Sequence, residues 1–237
     1  MYPRGGTPVA RLVALGDGKQ TLSLGPMASA AAAEALEKKC GVPWLDLQLP
    51  IGVRATDAFV DALRKTAGVS VPAALEAERG RLIDMISDTA QYFHGRRVAL
   101  FGDPDHLRSL TAFLLELGME PAVVVTGTPG KKWARELSKL APGAEVRASS
   151  DIHFLHQWIK NHPVDLLIGN TYGKYVARAE GNLPFVRLGF PILDRVGHRV
   201  FPTVGYTGAL RLIEKITDAL FDKRDREDPD HEVELVL

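Results

Sequence analysis

Two aspartates, Asp84 and Asp88, have the side chains and the spacing that best suit chemistry beyond packing. They lie four residues apart in a segment with helical apolar periodicity, so both carboxylates project from one face. Two interpretations are open. The pair belongs either to a solvated face with arginine neighbours or to a site for a hard divalent cation, where it supplies two oxygen ligands. Two carboxylates leave such a site incomplete, so a second chain or segment would have to supply the rest.

The other reactive side chains form no recognisable site. The seven histidines lack the H-E-x-x-H spacing of zinc sites, and no G-x-S-x-G nucleophile elbow is present. Cys40 is the one cysteine, which excludes a disulfide within the chain and suggests a reducing, cytoplasmic location. An iron–sulfur cluster usually needs about four protein ligands, so this chain cannot hold one alone. We therefore assign no catalytic and no cofactor-binding residue.

One loop, residues 126–132 (TGTPGKK), superficially resembles a phosphate-binding loop. It lacks the two glycines at fixed separation before Lys-Ser/Thr that define the P-loop, and no GxGxxG follows a predicted strand. A free-standing nucleotide binder is therefore kept only as a further hypothesis. Calorimetric titration with nucleotides would test it.

The composition of the chain limits the classes of partner that it is expected to bind. It has 237 residues, 46% of them hydrophobic, with 29 Lys+Arg against 29 Asp+Glu. The neutral balance gives no general attraction to nucleic acid or to an anionic membrane. No apolar run approaches the ~20 residues that span a bilayer, and the N-terminus lacks the apolar core of a signal peptide. We expect neither a nucleic-acid nor a membrane partner.

Helices and strands alternate along the chain. Pro72 suits the first turn of a long helix that ends near Gly95, and Val98–Phe101 predict a buried strand after it. Thr56 is predicted to cap an earlier helix, and Asp151 a later one. Residues 1–19 resemble an irregular linker, and the alternating tail 233–237 could dock as a strand.

This alternation predicts an α/β fold of two doubly wound parallel-sheet, Rossmann-like units. Residues 1–71 would form a partial first α/β unit with an N-terminal linker. Residues 72–95 would form the long connecting helix, and residues 96–237 the second unit with its C-terminal helix and tail. Ligands of such sheets gather at the carboxyl ends of the strands, here at loops 102–105, 126–132 and 169–174.

Several long segments resemble one known family, the β chains of the nitrogenase molybdenum–iron proteins (nitrogenase component 1). They are MYPRGGT (1–7), IGVRATDAF (51–59), ERGRLIDMISDTAQYFHGRRVALFGDPD (78–105), PVDLLIGNTYGKYVAR (163–178) and LPFVRLGFPILDRVGHRVFPTVGYTGAL (183–210). The resemblance runs over nearly the whole chain. It implies the component 1 type of fold, in which the chain matches the last two of three domains.

The resemblance also implies a function. The family reduces dinitrogen to ammonia in an ATP-dependent reaction, as an α2β2 complex that receives electrons from an iron protein. The partners implied are therefore the nitrogenase α chain, a second β chain and the iron protein. The cysteines that bind the P-cluster, an iron–sulfur cluster, lie in the domain that has no match here. We therefore expect the chain to be inactive alone.

Within that resemblance the aspartate pair gains a specific role. A divalent cation joins two β chains of the family, and two of its carboxylate ligands match Asp84 and Asp88. Two alternatives share many of the motifs: a non-catalytic scaffold for cofactor assembly, and the β chains of vanadium or iron-only nitrogenases. Cluster cysteines encoded in frame upstream of Met1 would favour the enzyme subunit over the scaffold.

Overall fold

The computed structural model describes residues 6–197 and 200–227. Most of the MYPRGGT segment and the whole tail 233–237 lie outside these residues, so the strand predicted for the tail stays a prediction. Within the described part no helix is long and apolar enough to cross a membrane.

The first part of the chain folds around a small parallel sheet. Strands β1 (Thr21–Leu24) and β2 (Trp44–Leu47) pair in parallel, and helix α2 (Pro26–Cys40) connects them. Helix α3 (Gly52–Ala67) follows β2 and packs against later helices of the chain. We call the segment from β1 to α3 the two-stranded unit.

The second part of the chain contains a five-stranded parallel sheet, and helix α4 (Ala73–Phe93) links it to the two-stranded unit. Its elements are β3 (Arg97–Phe101), α5 (Pro104–Glu116), β4 (Glu120–Val125), α6 (Lys131–Leu140), β5 (Glu145–Arg147), α7 (Ile152–Asn161), β6 (Leu166–Gly169), α8 (Gly173–Ala179), β7 (Phe185–Arg187) and α9 (Gly205–Glu227). We call the segment from β3 to α9 the five-stranded unit. The strands of its sheet lie in the order β5-β4-β3-β6-β7.

Apolar side chains cover both faces of the larger sheet, as a doubly wound fold requires. Along β3, Leu100 points into the cluster that includes Phe113, whereas Ala99 points into the opposite cluster with Leu155. Successive residues of a strand point to opposite faces of the sheet, so a strand made entirely of apolar residues contributes side chains to the core on each face. The predicted α/β architecture with parallel sheets is confirmed, while the three-part domain division stays a prediction.

Two local predictions are wrong, and one helix was missed. The linker predicted over residues 1–19 contains helix α1 (Val9–Val13) and a 3-10 turn at Ala14–Asp17. Thr56 does not cap α3, because the helix already begins at Gly52 and the Thr56 hydroxyl donates to the Gly52 carbonyl at 2.6 Å. Helix α8 was not predicted, since its seven residues are too few to show a helical period.

Candidate functional site

The aspartate pair lies on the outer face of α4. Leu82 and Phe93 of this helix are fully buried, whereas Asp84 and Asp88 are exposed. One helical turn separates the two residues, about 6 Å along the axis. Neither carboxylate has a hydrogen bond or ion pair within the described part of the chain, so both are free to bind a ligand from outside it.

A polar network fixes the position of α4 beside its neighbours. Arg79 on α4 donates three hydrogen bonds to Asp57 of α3, from Nε to Oδ1 and Oδ2 at 2.9 and 3.0 Å and from Nη2 to Oδ2 at 2.9 Å. The Tyr206 hydroxyl of α9 donates to the same carboxylate at 2.6 Å. One carboxylate therefore joins three helices.

The electrostatics of this network favour an ionised aspartate. Partial burial opposes ionisation of Asp57, but hydrogen bonds from Arg79 and Tyr206 outweigh it and lower its pKa. Burial, and then the hydrogen bond to Asp57, raise the pKa of the Tyr206 phenol, which therefore remains a donor.

The described residues supply only part of the ligands that a divalent cation needs. No group of three or more His, Cys, Asp or Glu residues that could enclose a metal ion occurs within residues 6–197 and 200–227. The pair on α4 can therefore supply two oxygens of the six or so that a hard divalent cation takes. A complete site would need ligands from outside the described residues.

The residues do not fit an iron–sulfur cluster. Cys40 is exposed at the end of α2, and it is the one cysteine of the sequence. Clusters of this kind are held by about four ligands, mostly thiolates. Cluster binding is therefore not a property of the residues in this chain.

The three loops at the carboxyl ends of strands serve the fold. Asp103 caps α5, because its Oδ1 accepts from the Asp105 backbone N–H at 3.1 Å. The rings of Phe101 and Phe185 fill the space beside Gly169 and Gly173, where an added Cβ would come within 2.0 and 2.5 Å of them. Loop 126–132 leads into α6, whose N-cap Gly130 has no side chain to cap it.

A charged cluster that sequence reasoning missed holds the chain after β7. Asp194 accepts two hydrogen bonds from Arg187 Nε at 3.0 Å and one from the Thr171 hydroxyl at 2.9 Å. Lys174 Nζ lies 3.8 Å from the same carboxylate. We call these four residues the Asp194 cluster. Asp194 and Arg187 both occur in the motif from residue 183 to residue 210, but nothing in the sequence indicates that their side chains pair.

The segment that this cluster anchors exposes large apolar side chains. Phe190 is 86% exposed and Val196 is 99% exposed. Three further members of residues 190–204 are more than half exposed: Leu193, Val200 and Phe201. We call residues 190–197 and 200–204 the apolar segment. Apolar exposure concentrated in this way is typical of protein contact surfaces.

Comparison with known proteins identifies the family to which this chain is similar. A family model described as nitrogenase component 1 type oxidoreductase matches residues 1–221. The nitrogenase molybdenum-iron protein beta chain of Clostridium pasteurianum is 51% identical over 241 residues, covering 100% of this chain and 52% of that protein. Its counterpart in Frankia alni is 42% identical, covering 99% of this chain and 45% of that protein.

A solved structure described as nitrogenase Cp1 at pH 6.5 has the same fold, with a TM-score of 0.94 at 51% identity. The match covers 100% of this chain and 53% of that one. The chain thus spans about half the length of the curated relatives it matches. Since the family match takes in both sheets and α4, the chain belongs to the nitrogenase component 1 type oxidoreductase family.

Proposed function

We propose that this chain is part of the β subunit of a nitrogenase molybdenum–iron protein. In that role it takes part in the ATP-dependent reduction of dinitrogen to ammonia as a component of an α2β2 complex. The observation that carries the proposal is the 51% identity to the Clostridium pasteurianum beta chain over the full length of this chain. Relatives at lower identity carry the same description.

The described residues act as a supporting body in this proposal. The exposed apolar segment supports a place in a larger assembly, whose members would be the nitrogenase α chain and a second β chain. The iron protein would deliver electrons to that assembly. The P-cluster would carry them onward within the complex, on ligands that this chain does not supply. A cytoplasmic location belongs to the same proposal, because the reaction consumes ATP and needs a reducing compartment.

Asp84 and Asp88 would contribute two oxygen ligands to a divalent cation at the contact between two β chains. Their shared face, their exposure and their lack of partners in the described part of the chain support this role. A cation held between two chains converts otherwise repelling carboxylates into a stabilising contact.

The experiment is anaerobic purification of this protein from its source through a C-terminal tag. We expect the nitrogenase α chain to copurify in equal amount, and dinitrogen reduction to require added iron protein and ATP. Omission of ATP is the control. Isolation of the chain without an α partner, or a complex that fails to reduce dinitrogen with all components present, would contradict the proposal.

A further inference from the structure

Two helices of the two-stranded unit begin without a cap of their own. Helix α2 follows Gly25, and α3 has Gly52 as its first residue; neither N-terminus has a side-chain cap from its own N-cap residue. The first N–H groups of a helix have no partner within the helix, so another group must accept their hydrogen bonds.

Helix α5 of the five-stranded unit supplies both caps. Asp105 accepts from the backbone N–H groups of Met27 and Ala28, at 3.1 and 2.9 Å. Glu116 accepts from those of Val53 and Arg54, at 2.8 and 3.1 Å. The two acids lie eleven residues apart on α5, about 16 Å along its axis. One helix therefore holds the other unit at two separate points.

The glycines make this close approach possible. A Cβ atom on Gly25 would lie 2.7 Å from the Asp105 carboxylate, and one on Gly52 would lie 2.7 Å from Glu116 Oε2. Both glycines have a φ of +85°, which other residues rarely adopt. The same arrangement, a glycine facing a carboxylate from α5, thus occurs twice.

The apolar contact between the units is smaller than the core of the five-stranded unit. Among the described residues, Ile51 is the one fully buried member of the main core cluster that comes from the two-stranded unit. A crevice of about 450 Å³ lies beside Glu116 and is lined by Gln48, Arg54 and Arg108. Asp105 is only 5% exposed, so the aspartate end is the more tightly closed.

We propose that Asp105 and Glu116 form a two-point latch through which the two-stranded unit docks on α5. The unit opens from α5 as one body, an opening that also breaks the contacts of Asp57 with Arg79 and Tyr206, while the five-stranded sheet stays folded. The two polar caps fix the position of α2 and α3 relative to α5. Local openings of this kind cost less free energy than global unfolding.

Hydrogen exchange of the full chain, read by mass spectrometry, tests the latch. In the unaltered chain, amides of α2 and α3 should exchange through an opening that leaves β3, β4 and β6 protected. Glu116→Gln and Asp105→Asn each keep one acceptor oxygen but lose the charge and the second acceptor. We expect either substitution to speed exchange in α2 and α3 about tenfold or more, with exchange in the three strands unchanged.

Two control variants separate the latch from a general effect. Asp151→Asn removes a cap within the five-stranded unit, where Asp151 accepts from the Phe154 N–H at 2.9 Å, and should affect α7 alone. Asp46→Asn changes a carboxylate that lines the same crevice without a capping role, and should have no effect. Equal acceleration in the strands would overturn the latch, as would unchanged exchange in α2 and α3. If a substituted chain fails to fold, the unaltered chain still provides a test. Exchange of α2 and α3 through the same global opening as β3, β4 and β6 would then overturn the latch.

Discussion

Asp194 shows how one side chain can position a whole exposed segment. Its carboxylate is about 20% exposed and is bound by Arg187, Thr171 and Lys174. The backbone N–H of Leu193 also donates to the Thr171 hydroxyl, at 2.7 Å. The backbone is therefore fixed on its inner side while Phe190 and Val196 project outward. A contact surface prepared in this way loses little conformational entropy on binding.

This cluster predicts a specific loss of stability in acid. The hydrogen bond from Arg187 leads in lowering the pKa of Asp194 to about 2, against the opposing effect of burial. A carboxyl group with a lowered folded-state pKa stabilises the fold above its unfolded pKa, near 3.8, and that contribution disappears as the pH falls towards 2. Asp194→Asn should remove this part of the pH dependence between about 4 and 2.

Urea unfolding at several pH values measures the effect. The difference in unfolding free energy between the unaltered chain and the Asp194→Asn variant should be constant from neutral pH down to about 4 and then shrink. Asp218→Asn, on the exposed surface of α9, is the control and should show no such trend. A difference that stays constant down to pH 2 would contradict the assignment of the low pKa to Asp194.

Gly169 provides a second prediction at the scale of one residue. An added Cβ would lie 2.0 Å from Phe101 Cε1, so Gly169→Ala must displace the ring or the strand. We expect a loss of about 1–3 kcal/mol in unfolding free energy. Gly143→Ala is the control, since nothing lies within 4 Å of its added Cβ. Phe101→Leu in the Gly169→Ala chain should restore part of the loss, and its failure to do so would refute the steric cause.

At the scale of elements, sequence predicted the helices and strands that depend on their own residues. Asp151 caps α7 as predicted, because its side chain binds an N–H three residues ahead. The helix predicted to begin after Pro72 does so at Ala73. The caps of α2 and α3 could not be predicted, because Asp105 and Glu116 reach them from 77 and 63 residues away. Nothing local in the sequence indicates such a partner.

The junction of three helices gives a prediction at this scale. Asp57→Asn removes the charge that Arg79 and Tyr206 share, so it should loosen the contact of α3 with α4 and α9. Because Asp57 is partly exposed, we expect a loss of only about 1 kcal/mol in unfolding free energy, measured in urea. Asp61→Asn is a matched control on the same helix, where the exposed pairs with Arg64 and Lys65 should contribute little. An equal loss in both variants would argue against a special role for Asp57.

At the scale of the whole molecule, a local pattern is not enough to identify the cation site. Asp218 and Asp222 on α9 have the same spacing and exposure as Asp84 and Asp88 on α4. Sequence periodicity alone cannot distinguish the two pairs. The family resemblance favours the pair on α4, and in our proposal the missing ligands come from outside the described residues. In that proposal the assembly, and not this chain alone, completes the cation site.

The two aspartate pairs also provide the test of the proposed contact between β chains. In the proposed α2β2 complex, the double variant Asp84→Asn, Asp88→Asn should shift the assembly towards αβ pairs, because two of the proposed ligands of the cation lose their charge. Each αβ pair should stay folded, since both side chains are exposed and bind nothing in the described part of the chain. Native mass spectrometry with metal analysis measures the shift and the loss of the cation together. The double variant Asp218→Asn, Asp222→Asn removes the same charges at the same spacing from α9 and should leave the tetramer intact. If both double variants dissociate equally, charge alone explains the result, and if neither does, the cation does not depend on α4.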